Sequence, residues 1–236
     1  MNPNAGWRAP FVVGVVALLV AGCSATDRRV SGTATAPAGG ITQTPSTSVA
    51  PRPVDNAGLP PLLGSPSVIS DLLGITVTPE GIVRKPDTKL SVEPIRCLEA
   101  IQAGLNTISL IGRTGFAAQI LHGDQHAQVV QMIASFPADA DASAFREIVT
   151  QKWRRCQNQQ ATITDGQTSL TYTVDAVDQV NSVAAVSMSV TAGDGTQVTC
   201  QHALGARRNV AIDVRVCAPN VANKGRELVA KIAAGL

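Results

Sequence analysis

Aromatic residues make up only 3% of the 236-residue chain, and none lies between Phe11 and Phe116. The part of the chain ahead of Phe116 therefore lacks the large apolar side chains that dominate core energetics, so the main core has to be built later. Charge is also scarce. Nineteen Lys and Arg stand against 17 Asp and Glu, with no dense run of either sign. That balance argues against a nucleic-acid binder, whose phosphate contacts need clustered cations, and against a polybasic membrane surface. Histidine occurs three times, and no GxSxG or HExxH pattern is present. The usual signatures of an exported hydrolase are thus missing. His122 and His126 are the one candidate pair, but they flank a Gly-Asp turn in a strand-like region, where residues four apart need not converge. No catalytic residue, cofactor or metal site is assigned.

Long apolar runs are lacking except at the start. Phe11–Val20 is apolar, is preceded by Arg8 as the only charge, and ends at Ala21-Gly22-Cys23. It has the layout of a secretory signal and is too short for a comfortable membrane span. Val20-Ala21-Gly22-Cys23 resembles the lipobox of bacterial lipoproteins. The resemblance implies cleavage after Gly22, acyl chains on Cys23 and an anchor on the outer face of the cell membrane, where two or three chains hold stably. From Ser24 to about residue 58, Ser, Thr, Pro, Gly and Ala dominate with no apolar period. Such a segment buries too little surface to offset its ordering entropy and reads as a flexible tether. The expected organisation is a signal peptide over 1–22, an anchor and linker over 23–58, and one folded domain over 59–236.

With Cys23 set aside, Cys97, Cys156, Cys200 and Cys217 remain. In an exported chain an even count reads as two disulfides, and three pairings are open. A zinc site would need a close ligand pair, and the nearest two cysteines are 17 apart.

Ser65-Pro66 opens a helix with Val68, Ile69, Leu72 and Leu73 on one face. Cys97, Leu98, Ile101 and Leu105 recur at helical spacing. Two strand-like runs, GFAAQILHG and AQVVQMIASF, meet at Gly123-Asp124. DADASAFREIVTQKWRRC predicts a helix, acidic at its start and basic at its end, with a stripe of Ala142, Phe145, Val149, Trp153 and Cys156. Cys97 and Cys156 both lie on apolar helix faces, where a bridge would clamp two helices. Strands are predicted near 160–164, 168–175, 182–192, 197–204 and 209–217, then a helix capped by Asn220 with Val221, Leu228, Val229 and Ile232 inward. Ala184, Val186, Met188 and Val190 alternate with Ala185, Ser187, Ser189 and Thr191, the pattern of an antiparallel sheet covered on one face.

In CQHALGARRNVAIDVRVC, placing Cys200 opposite Cys217 sets residue 202 against 215 and 204 against 213. Val210, Ile212, Val214 and Val216 then form the core side, leaving His202, Asp213 and Arg215 beside the cysteines on the outer face.

The order of a helix cysteine, KWRRC, the Cys200–Cys217 segment and a final helix ending in KIAA resembles the extracellular sensor domain of the mycobacterial PknH-type Ser/Thr kinases and the lipoproteins that share it. The resemblance runs from about Leu59 to Leu236. It implies an α+β fold, an antiparallel β-sheet with helices packed on one face, two disulfides pairing Cys97 with Cys156 and Cys200 with Cys217, and a V-shaped cleft on the open side. The family pattern carries Arg and Asn where this chain has His202 and Arg208. No kinase signature occurs. The expectation is a lipid-anchored extracytoplasmic binding or sensor-like domain. Its partners would be the membrane, through the anchor, and an unknown small ligand or envelope protein, but no nucleic acid. The candidate ligand face is Ser187, Ser189, His202, Asp213 and Arg215. An envelope lipid carrier is the alternative, and an exported hydrolase the next.

Overall fold

The structure is a computed structural model, and it describes residues 52–86, 91–103, 112–165 and 168–236. Cys23, most of the tether and Leu105 lie outside the described residues.

Nine strands form one antiparallel sheet in the order β1-β3-β4-β9-β8-β7-β6-β5-β2. They are β1 (Val77–Pro79), β2 (Val92–Glu93), β3 (Gly115–Gly123), β4 (Gln128–Ser135), β5 (Gln159–Asp165), β6 (Thr168–Val180), β7 (Val183–Ala192), β8 (Gln197–Arg207) and β9 (Val210–Cys217). From β5 to β9 the chain meanders, so each strand pairs with the next in sequence. β9 then returns to β4, setting Met132 against Asp213 and Val130 against Arg215. β6 continues five residues past its predicted end, through an irregularity between Val174 and Val177 that lets pairing resume.

Four α-helices accompany the sheet among the described residues: α1 (Pro66–Leu73), α2 (Leu98–Ile101), α3 (Asp139–Arg154) and α4 (Lys224–Ala234). In α1 the Ser65 hydroxyl accepts the Val68 N–H at 3.3 Å, and Gly74 closes the helix at φ 70°. Ile69 and Leu72 are buried, whereas Val68 is exposed, so the apolar stripe is narrower than its spacing suggested. α3 has Asp139 and Asp141 in its first turn and Lys152 and Arg154 in its last, matching its dipole. Its stripe of Ala142, Phe145, Val149 and Trp153 is buried, together with Cys156 just beyond. α4 starts at Lys224 rather than after Asn220. Asn220 takes a left-handed φ of 56° in the preceding turn and does not cap.

The α+β class, the antiparallel sheet and both disulfides are as expected, and helices cover both faces of the sheet rather than one. On one face Phe116, Met132, Met188 and Leu204 join α2 and α3 around Trp153. On the other, Ile133, Ala203, Ile212 and Val214 join α1 and α4. All eight residues of β9 are buried, with Val210, Ile212, Val214 and Val216 on one face and Ala211, Asp213, Arg215 and Cys217 on the other, so the second face buries polar side chains that need partners. α4 comes so close to β8 that a Cβ on Gly205 would lie 2.6 Å from Val229 Cγ1.

The disulfides are Cys97–Cys156 and Cys200–Cys217. The first ties a 3-10 turn (Ile95–Cys97) leading into α2 to the residue just past α3, so it clamps the two helical segments as anticipated.

The chain is already fixed ahead of the expected start at Leu59. Buried Asn209 accepts the Val54 N–H at 2.8 Å through Oδ1, and its Nδ2 donates to the Val54 and Phe136 carbonyls, each at 2.9 Å. Asn56 accepts from the Phe116 N–H at 3.0 Å, and Gly115 leaves room for it, since a Cβ there would meet Asn56 Cα at 2.8 Å. Asn209→Ala removes three hydrogen bonds, and each contributes about 1 kcal/mol net. We expect a loss of about 2–4 kcal/mol in urea unfolding and faster amide exchange at Val54. Unchanged exchange at Val54 would mean that this asparagine does not hold the segment.

Candidate functional site

His202, Asp213 and Arg215 share one face of the β8–β9 ladder with the Cys200–Cys217 disulfide, as the alternation predicts. That face is not open. His202 is 0% exposed, Asp213 1% and Arg215 6%, because α2 and α3 cover them. The Trp153 ring lies 4.3 Å from the His202 ring, centroid to centroid, with the planes 40° apart. Ser187 and Ser189 do not join this group. They pair with Gln201 and Thr199, and side-chain alternation puts them on the opposite face of the sheet. The expected ligand face of five residues is therefore split between two sides. Period-two spacing within β7 made the serines one polar face, but the register across β7 and β8 aligns Val186, not Ser187, with His202.

His202 Nδ1–H donates to the Ala100 carbonyl at 2.8 Å, and Nε2 lies 2.5 Å from Asp213 Oδ1. A carbonyl oxygen can only accept, so both ring nitrogens of His202 face oxygen atoms and the ring is fixed from both ends.

Arg215 is held differently. Nη1 donates to the Ile101 carbonyl at 2.6 Å and to Gln102 Oε1 at 3.3 Å, and Nη2 donates to Gln128 Oε1 at 2.7 Å. Nε is buried with no partner among the described residues. Every partner of this guanidinium is neutral.

Beside Arg215 opens a cavity of about 300 Å³. Its apolar wall includes Leu170, Tyr172, Val190, Val198 and the Cys200–Cys217 disulfide, and Gln128, His126, Asp194 and Thr196 add polar groups. Asp194 is fully exposed. Its carboxyl is held below the usual carboxylate range, chiefly by the Thr196 backbone N–H at 2.9 Å, with the Thr196 hydroxyl and the charge of His126 adding to the effect. Gln125 and His126 both take left-handed φ in the β3–β4 turn. His122 is engaged elsewhere, 2.9 Å from Glu80 Oε1 on the exposed surface. Arg215 thus belongs to the cavity, whereas His202 and Asp213 form the buried layer next to it, and Ser187 and Ser189 belong to neither.

Sequence reasoning missed Tyr172, Gln128, Asp194 and Thr196. The Gly-Asp-Gly-Thr turn at 193–196 was a readable signal for the last two, since Asp side chains bond backbone N–H groups two residues on. The Cys200–Cys217 register sets that turn just beyond the end of β9, but alternation alone does not bring Tyr172 of β6 and Gln128 of β4 to the same place.

A profile described as the PknH-like extracellular domain matches residues 54–234. The Ser/Thr-protein kinases PknH of Mycobacterium bovis and Mycobacterium tuberculosis are each 27% identical over 191 residues. The match takes in 77% of this chain but only 31% and 30% of those kinases, so the chain spans about a third of their length. The crystal structure of the extracellular domain of PknH from Mycobacterium tuberculosis superposes with a TM-score of 0.72 at 24% identity. That superposition covers 78% of this chain and 97% of that one, and shows the same fold. Among the described residues no helix is long and apolar enough to cross a membrane. The similarity is to the extracellular part of a kinase and not to its catalytic part, and this chain belongs to the PknH-like extracellular domain family.

Proposed function

We propose that this protein is an extracytoplasmic ligand-binding domain, tethered to the membrane by acyl chains on Cys23, which takes a small molecule into the cavity beside Arg215. The observation that carries the reading is the make-up of that cavity. An apolar wall with a few polar groups at defined positions is the usual lining of a small-molecule site. Its volume of about 300 Å³ sits at the small end of such sites, which favours one compact ligand over the multi-chain cargo of an envelope lipid carrier. A hydrolase is disfavoured on geometry. Among the described residues His122 is bonded to Glu80 and His202 to Ala100 and Asp213, which leaves His126 as the one histidine in the cavity wall, with no catalytic triad assembled on it. The tether reading rests on Val20-Ala21-Gly22-Cys23 alone.

One experiment addresses both parts. Native mass spectrometry of the full chain, extracted gently from the envelope, should show a covalent mass increase at Cys23 and a separate non-covalent adduct. Val198→Trp, which fills the cavity, should remove the adduct and leave the covalent mass unchanged. An adduct that persists in Val198→Trp would place the ligand elsewhere. An unmodified Cys23 would overturn the anchor.

A further inference from the structure

The charge balance around the cavity points to its ligand class. Five N–H groups belong to a guanidinium, and three of those on Arg215 are engaged, all with neutral oxygens. The nearest buried acid on its face, Asp213, is bonded to His202 and makes no bond to Arg215. Arg215 is therefore a cation 94% removed from solvent, the complement of its 6% exposure, with no counter-charge among its partners. An uncompensated buried charge is costly, and an opposite charge brought beside it in a low-dielectric setting is strongly favoured. Nε has no partner among the described residues and Nη2 keeps a second N–H, so the guanidinium retains donors that a carboxylate can accept.

Resting on the cavity reading above, we infer that the ligand is a monoanionic amphiphile. Its carboxylate pairs with Arg215, and its apolar body lies along Leu170, Tyr172, Val190, Val198 and the Cys200–Cys217 disulfide. Asp194 selects against a second negative charge, since Thr196 and His126 keep that exposed carboxylate ionised in the cavity wall. Charge number and position, rather than length alone, would then distinguish ligands.

Octanoate, n-octanol and n-octylamine test this as one tail with three heads. Equilibrium dialysis would use the full chain in lipid nanodiscs, with uptake by empty nanodiscs subtracted. The expected result is octanoate bound on the order of tenfold to a hundredfold tighter than octanol, with octylamine weakest. Arg215→Gln should bring octanoate down to the octanol level, and Val198→Trp should abolish both. Should Arg215→Gln fail to fold, the octanoate-to-octanol ratio of the unaltered protein still decides. If octanol binds as tightly as octanoate and Val198→Trp blocks both, the cavity is a ligand site but the anion inference is wrong. Should none of the three bind, the anion inference falls, and with no native adduct either, the cavity reading falls with it.

Discussion

Asp213→Ala is expected to destabilise the domain by about 3–5 kcal/mol, because it strands a buried polar partner in a dry layer. Asp213 lies between Met132 of β4 and Leu204 of β8 on the ladder, so neither neighbour can replace the lost acceptor. His202 would keep its bond to Ala100, but its Nε2 would face apolar atoms beneath Trp153. His202→Phe should preserve the stacking yet leave Asp213 without a donor, at a cost of similar size. The double variant His202→Phe with Asp213→Leu should be more stable than either single one, because replacing both members of a buried pair with apolar groups often costs little. Urea unfolding of the oxidised protein reads all three. A loss below about 1 kcal/mol for Asp213→Ala would mean that water reaches the pair.

The second large effect concerns the disulfides. In the chain-entropy account stabilisation grows with the logarithm of the closed loop. Cys97–Cys156 spans 59 residues and Cys200–Cys217 spans 17. Replacing the first pair with alanine should cost about 4 kcal/mol and the second about 3 kcal/mol. The consequences for function should run the other way. Cys200–Cys217 forms part of the cavity wall, so its loss should weaken ligand uptake more than its effect on stability suggests. Cys97–Cys156 clamps the segment around α2, whose Ala100 and Ile101 carbonyls hold His202 and Arg215. Unfolding curves with and without reductant, set beside the same variants, measure the order. If removing Cys200–Cys217 proves the more destabilising, packing around the bridges outweighs loop entropy.

Much of the scaffold was legible in the linear chain. The Cys200–Cys217 segment states its own register, because two β-compatible runs around a polar turn can align their cysteines in one way, and the ladder has that alignment. The stripe of α3 was equally plain, since the 3.6-residue period of Ala142, Phe145, Val149 and Trp153 is a local property. That His202, Asp213 and Arg215 share a face followed from alternation within two adjacent strands. Family membership was visible in the same residues.

What covers each face was decided by the tertiary structure. Alternation says that a strand has two sides, but it does not say which distant element packs on either. The α2 carbonyl that receives Arg215 is 114 residues away in sequence, and the Ala100 carbonyl that receives His202 is 102 away. Such contacts depend on the pairing of β9 with β4 and on the Cys97–Cys156 bridge between the α2 and α3 segments, both of which join residues far apart in sequence. The separation of Ser187 and Ser189 from the buried trio has the same origin, a cross-strand register no single strand encodes. The sequence by itself determined which side chains travel together along each strand. Only the packed helices decided that three of them are buried, and that one, Arg215, is bonded only to neutral oxygens beside a cavity.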